Sequence, residues 1–384
     1  MTSRTILVLG GGLGGVTAAI HLRRLLAPEH RVVLIERNPT FSLCMANLWL
    51  MTGERQDPRQ GERELSGLAE RGVEVIQATI DAIEPTTKTV RTSDGELRAD
   101  YLIVALGAAK NPQAVPGFGD AALNLYERDG AQRICEALAA FDGGRIVVLV
   151  SRTPFSCPSA PYEAAFLVDS VLRRRGVRAG TDVAIYTPED LPMPVAGTHI
   201  GQALVAMLEE RGIEFHREQI PMKVDASQRR ILFELDDASY DLLLGVPAHV
   251  APAAVRDSGL TDASGWIPVD APTLQTRHPG VFAIGDVTAV RLANGMFLPK
   301  AGVFADSEAR IVAERIAAEI TGGGTSPQYD GRGFCYIEVG DGNAAYGAGT
   351  FFSIPGPRIT LDSPSVRYRR EKEEVERSAL ALID

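Results

Sequence analysis

Four consecutive apolar residues, Ile6-Leu7-Val8-Leu9, are followed by a glycine-rich stretch from Gly10 to Gly15, a helical pattern to about Leu26 and a second apolar run from Val32 to Glu36. Short continuous apolar runs bounded by turn residues read as strands buried on both faces, so this segment predicts one βαβ unit. From about Gly72 to Leu106 the pattern changes to short β-type runs, Val73 to Ile76, Thr89 to Thr92 and Tyr101 to Leu106, with Asp94-Gly95 as a tight-turn signal. A small antiparallel meander is expected there.

Pro and Gly punctuate Asn111 to Gly119, and a second strand-loop-helix-strand pattern follows: Ile146 to Val150, a loop, a helix from about Pro161, then Val183 to Tyr186. The apolar run Gly280 to Gly285 again ends in a turn and predicts a return of the chain to the first unit. The expected architecture is therefore α/β, with two Rossmann-like dinucleotide-binding domains and the first one discontinuous. Residues 1–110 and 270–322 form the first domain, 111–269 the second, and 323–384 a short C-terminal region. The densely charged stretch after Ser365 reads as a solvated helix.

With 384 residues, 45% of them hydrophobic, the chain can fill two or three cores at roughly 150 residues per domain. A net charge of -10 gives no bulk attraction to phosphate backbones, so nucleic acid is excluded as a partner. The longest apolar stretch, Leu242 to Val255, contains Pro247, His249 and Pro252 and falls short of the ~20 residues a spanning helix needs. Met1-Thr2-Ser3-Arg4 leads straight into the first strand without an export signal, which predicts a cytoplasmic protein, peripheral membrane contact being left open. Cys44, Cys135, Cys157 and Cys335 are too few for a disulfide scaffold and lack zinc spacing, so any cysteine chemistry is local and redox in kind. The six histidines are scattered without ligand spacing, and no metal is assigned.

Gly10-x-Gly12-x-x-Gly15 lies between a predicted strand and helix, where glycines let the backbone approach a pyrophosphate and the helix N-terminus offers N–H groups. Leu13 and Arg37 are counted with the nucleotide-binding residues. Glu36 ends the second strand, the place where a carboxylate accepts from a ribose hydroxyl. The second unit lacks this motif: Val150 is followed by Ser-Arg-Thr-Pro-Phe-Ser-Cys-Pro-Ser-Ala-Pro-Tyr-Glu. A nicotinamide pyrophosphate is disfavoured there. Cys157 instead stands just before a helix, whose N-terminal field is expected to lower its thiol pKa below ~8.5.

Val281-Phe282-Ala283-Ile284-Gly285-Asp286 resembles the second flavin fingerprint of the FAD-dependent pyridine nucleotide-disulfide oxidoreductase superfamily, whose fold is glutathione-reductase-like. The resemblance implies FAD, with Asp286 on its ribityl chain. Asp100 to Gly107 is similar to the strand and glycine that pass behind the cofactor, with Leu106 where Thr is commoner. Pro299-Lys300-Ala301-Gly302 is similar to the segment that opens a helix under the flavin, which implies that Lys300 stabilises the reduced ring.

Cys157-Pro158-Ser159-Ala160-Pro161-Tyr162-Glu163 is similar to the Cys-Pro-Pro-x-Pro-Tyr-Glu string of the sulfide:quinone oxidoreductase and flavocytochrome c sulfide dehydrogenase family. Gly333-Phe334-Cys335-Tyr336-Ile337-Glu338-Val339-Gly340 resembles that family's C-terminal motif. The resemblance implies that Cys157 and Cys335 form a redox pair that oxidises sulfide or a persulfide. Glu163 is the candidate proton-transferring group, and a quinone or a cytochrome c is the electron acceptor. Cys44 stands near the point where flavocytochromes of this family attach FAD covalently. The alternative activity on the same fold is NADH:quinone oxidoreduction, against which the missing second glycine motif argues. Oligomeric state is not legible.

Overall fold

The computed structural model describes residues 3–323 and 327–384, so Met1 and Thr2 of the export reading lie outside the described residues. In chain order, the elements that frame the site begin with β1 (Thr5–Leu9), α1 (Leu13–Leu25), β2 (Arg31–Glu36), β3 (Glu74–Gln77) and β4 (Tyr101–Val104). Then come β5 (Leu123–Asn124), β6 (Gly144–Val150), α2 (Ala160–Arg175), β7 (Thr181–Tyr186), β8 (Ile213–His216) and β9 (Leu242–Val246). The last group is β10 (Val281–Ala283), α3 (Gly302–Thr321), β11 (Arg332–Gly340), β12 (Asn343–Thr350), β13 (Arg358–Ser365) and α4 (Val366–Leu380).

Two five-stranded parallel sheets result. The first has the order β10-β4-β1-β2-β3 and the second β5-β9-β6-β7-β8. The central strands are apolar throughout because helices or loops cover both faces: Ile6 to Leu9 and Ile146 to Val150 are all fully buried. Strand β10, far along the chain, pairs with β4, which returns the chain to the first sheet.

The expected meander is present around Thr89–Thr92 and the Asp94-Gly95 turn, but its two outer strands are other residues than expected. Its three antiparallel strands are Ile80–Glu84, Thr89–Thr92 and Gly95–Arg98, whereas Val73 to Ile76 and Tyr101 to Leu106 supply strands of the parallel sheet. A short apolar run has the same appearance in either setting, so periodicity did not separate them.

Strands β11, β12 and β13 form a separate antiparallel sheet with α4 packed on it. Strand β11 runs between the two parallel-sheet units. A Cβ on Gly333 would stand 2.2 Å from the Phe304 ring of α3, and one on Gly340, with φ +86°, would stand 2.1 Å from Ser170 Oγ of α2. Glycine at each end therefore permits the close approach that sets the depth of Cys335 between them. Helix α2 is buried from Ala160 to Leu172, with β6 on one side and β11 on the other.

The charged C-terminal helix departs from expectation. Lys372, Glu376, Ala379 and Leu380 of α4 are buried, and Ala379 and Leu380 join the core of the first unit. Arg369, Lys372 and Glu376 point inward to partners while Arg367, Arg370, Glu374 and Arg377 stay exposed, a division that a count of charged residues does not reveal.

Candidate active site

The turn after β1 is shaped for close approach. Gly10 has φ +107° and a Cβ there would lie 2.5 Å from the Ala105 carbonyl oxygen, while one on Gly15 would lie 1.9 Å from Gly10 O. Beside Gly12 nothing lies within 4 Å of that position, and the first turn of α1 faces it with unpaired N–H groups. Glu36 Oε2 accepts from Gly11 N at 2.7 Å, and Oε1 accepts from Asn38 N at 2.9 Å, which fixes the carboxylate beside the turn. Arg37 is exposed next to it. Gly302 opens α3 against Leu13, at 3.4 Å for its Cβ position, so the N-termini of α1 and α3 converge. Gly107, φ +63°, is open on the same measure. Bare backbone, two helix N-termini and a fixed carboxylate are the donor set that a dinucleotide fits.

Asp286, at the end of β10, accepts a hydrogen bond from Ser156 Oγ, and Gly285 N donates to the buried Glu308 carboxylate at 2.6 Å. Burial pushes the Glu308 carboxyl up to about 8. Lys300 differs from expectation: its ammonium donates to Asp286 O at 2.5 Å and Thr288 O at 3.1 Å and lies 3.4 Å from the centre of the Trp266 ring. Burial lowers its pKa to about 8, against the fields of Asp286 and Glu308. The lysine thus ties the fingerprint turn together from within.

The turn after β6 is filled by side chains. Phe155 is buried, and Arg152 Nη1 donates to Ser151 O at 2.6 Å and Pro221 O at 3.0 Å. Cys157 follows with φ +51°, a left-handed conformation that costs a non-glycine residue about 1 kcal/mol or more. Its N–H donates to Lys300 O at 2.6 Å and Ser156 pairs with Lys300, which holds that backbone against the fingerprint turn. Tyr126 Oη donates to Ser156 O at 2.6 Å from the other side.

Cys157 and Cys335 meet at one hydroxyl. Ser159 Oγ lies 3.7 Å from Cys157 Sγ and 3.3 Å from Cys335 Sγ, although the two cysteines belong to different units. All four cysteines are free thiols. Cys44 is exposed, ahead of a helix at Ala46–Met51, and Cys135 sits half-buried in the helix Arg128–Ala140.

The thiols are not acidified as the helix position suggested. Burial, then the nearby Glu163 carboxylate, pushes Cys335 up to about 11 and Cys157 higher still, and Lys372 opposes this only in part. Loss of water is the largest cause at both sulfurs.

Glu163 is 1% exposed. Its Oε2 accepts from Ser159 Oγ at 2.9 Å, and its Oε1 accepts from Glu338 N at 2.9 Å and pairs with Lys372. Lys372 also pairs with Glu338 at 2.9 Å, and Glu338 takes Arg369 at 2.7 Å and Trp49 Nε1 at 2.7 Å. Burial acts to raise the Glu338 pKa, but the cations Lys372 and Arg369 outweigh it and hold the carboxyl below its usual range. Two carboxylates and two cations thus neutralise one another away from water, the condition under which buried charge is tolerated. Ser159, Glu338, Lys372, Arg369 and Trp49 were not read as site residues from sequence. Only Ser159 carried a local signal, lying two residues after Cys157 and four before Glu163.

Residues 4–305 match the model of the pyridine nucleotide-disulphide oxidoreductase family. A mitochondrial sulfide:quinone oxidoreductase of Mus musculus is 27% identical over 309 residues, 74% of this chain and 65% of that protein, so the chain spans under two thirds of that relative. A sulfide-quinone reductase of Aquifex aeolicus is 24% identical over 92% of this chain and 84% of that protein. A type II NADH:quinone oxidoreductase of Staphylococcus aureus is 24% identical over 88% and 89%. Among solved structures, the sulfide:quinone oxidoreductase of Aquifex aeolicus superposes with a TM-score of 0.88 at 21% identity, covering 99% of this chain and 91% of that one.

Proposed function

Because this chain belongs to the pyridine nucleotide-disulphide oxidoreductase family and is a flavin-dependent oxidoreductase, we propose that it oxidises sulfide, or a related persulfide, through Cys157 and Cys335 and delivers the electrons by way of FAD to a quinone. The observation that carries this reading is the pair of sulfurs around Ser159, Cys157 standing on a loop tied to Asp286 of the flavin fingerprint and to the Lys300 backbone.

In the working state the two cysteines share a sulfur bridge. Hydrosulfide attacks it: the S–S bond breaks, a new bond joins the substrate sulfur to one cysteine, and the other cysteine leaves as a thiolate. Bound FAD supplies the acceptor for two electrons from this thiolate and persulfide. Once those electrons and one proton are gone, the two close into a bridge one sulfur longer. The protein's part is to hold both sulfurs at one point and to keep the cofactor's turn and the cysteine loop in one knot of hydrogen bonds.

A second reading, NADH:quinone oxidoreduction, draws on the Staphylococcus aureus relative. Against it stands the turn after β6, where Phe155 and Arg152 occupy the place in which a nucleotide needs bare backbone. Delivery to a membrane quinone calls for peripheral contact, for which Phe334, Ile354 and Val366 of the C-terminal region offer exposed apolar side chains. No helix among the described residues is long and apolar enough to cross a membrane.

Anaerobic titration of the purified flavoprotein tests the proposal. Sulfide is expected to bleach the flavin and a soluble quinone to restore its colour. Bleaching by NADH without bleaching by sulfide overturns it. Denaturing the same sample decides the link at Cys44: flavin that stays with the polypeptide is covalent.

A further inference from the structure

We propose that Ser159 is a third catalytic side chain of the cysteine site, which passes the proton of a sulfur to Glu163 and then holds the thiolate left behind by a hydrogen bond. The inference rests on the two-cysteine reading above.

Ser159 is fully buried, and it begins α2 as the N-cap residue without making a side-chain capping bond. Its hydroxyl is therefore free of the role that serine most often has at a helix start. It donates instead to Glu163 Oε2 at 2.9 Å, which turns its lone pairs toward Cys335 Sγ at 3.3 Å and Cys157 Sγ at 3.7 Å. A buried hydroxyl with one acceptor and two thiols around it has the geometry of a relay. The family string that this loop resembles carries proline at the same place, so the hydroxyl is a property of this chain's own loop.

The step balances on these groups alone. A sulfur gives its proton to Ser159 Oγ, Ser159 gives its own proton to Glu163 Oε2, and the thiolate then accepts a hydrogen bond from Ser159. Glu163 ends neutral. While ionised it opposes a thiolate, because its charge pushes both thiols up. Once protonated it no longer does, and the Lys372 cation remains beside a single negative sulfur. Lys372 and Glu338 are positioning groups: they hold Glu163 in place without touching either sulfur.

The test uses the reduced full-length flavoprotein and iodoacetamide, with labelling of Cys157 and Cys335 followed peptide by peptide by mass spectrometry at fixed pH. Ser159→Ala is expected to slow labelling of Cys335 about tenfold, the loss of one hydrogen bond to a charged group, and Ser159→Thr to restore it. Ser159→Pro provides a second variant without the hydroxyl, should the alanine form fail to retain flavin. Sulfide-driven bleaching should slow at least about tenfold in the same two variants and recover in the threonine form. Equal labelling in wild type and Ser159→Ala overturns the assignment, whatever sulfide does. A wild type that sulfide does not bleach removes the substrate reading, and the labelling result then decides Ser159 alone.

Discussion

In the N-terminal unit the turn between β1 and α1 bends at glycines, carries no side chain above Gly12 and leaves the helix N-terminus facing open space. In the second unit the turn between β6 and α2 has the same place in the sheet, yet Phe155, Arg152 and Cys157 fill it, and the start of the helix is closed by its own Ser159–Glu163 hydrogen bond. The two units share the order of four parallel strands, β4-β1-β2-β3 and β9-β6-β7-β8, and differ in the fifth, which is β10 from late in the chain in one and β5, ahead of β6, in the other. The difference shows that the sheet fixes where a ligand or a reactive group can stand, while the loop's side chains decide which it is.

If the second turn is the chemical one, removing either sulfur should have the largest effect of any change. Cys157→Ser and Cys335→Ser are each expected to slow sulfide-driven flavin reduction on the order of a thousandfold or more while FAD stays bound. Stopped-flow absorbance measures this, and retained activity in either variant removes that cysteine from the mechanism. The loop also depends on buried charge that the first turn lacks. Lys372→Met leaves Glu163 without its cation and Glu338 with only Arg369, and should cost about 3–5 kcal/mol of stability by chemical denaturation. Arg31→Met, which breaks the exposed Arg31–Glu74 pair of the N-terminal unit, should cost under about 1 kcal/mol on the same measurement. A last change separates binding from folding. Gly12→Ala puts a Cβ where no protein atom lies within 4 Å, so the apoprotein should keep its melting temperature while flavin retention, measured by equilibrium dialysis, weakens at least about tenfold.

Much of this was legible along the chain because it is local. The glycine turn, the acidic residue ending β2 and the fingerprint at Gly285 and Asp286 are each read within one strand and its turn. Glu163 was visible as a first-turn carboxylate, but not as the partner of Lys372, since the two stand 209 positions apart. Lys300 was legible as a lysine before a helix, but its direction was not. The trough formed by Trp266 and the carbonyls of Asp286 and Thr288, which draws it inward, exists only after folding. The α4 helix was misjudged for the same reason: its composition is that of a solvated helix, and only a neighbour with complementary charge makes burial favourable.

The sequence alone determined the two parallel sheets, the nucleotide turn and the two cysteines as the residues to watch, because periodicity, glycine spacing and short motifs act over a few residues. Tertiary structure decided that strand β11 passes close enough to α2 for one serine hydroxyl to reach both sulfurs. It also decided that burial and the Glu163 carboxylate raise the pKa of both thiols. Solvation and long-range contact depend on which surfaces meet, and no local pattern records that.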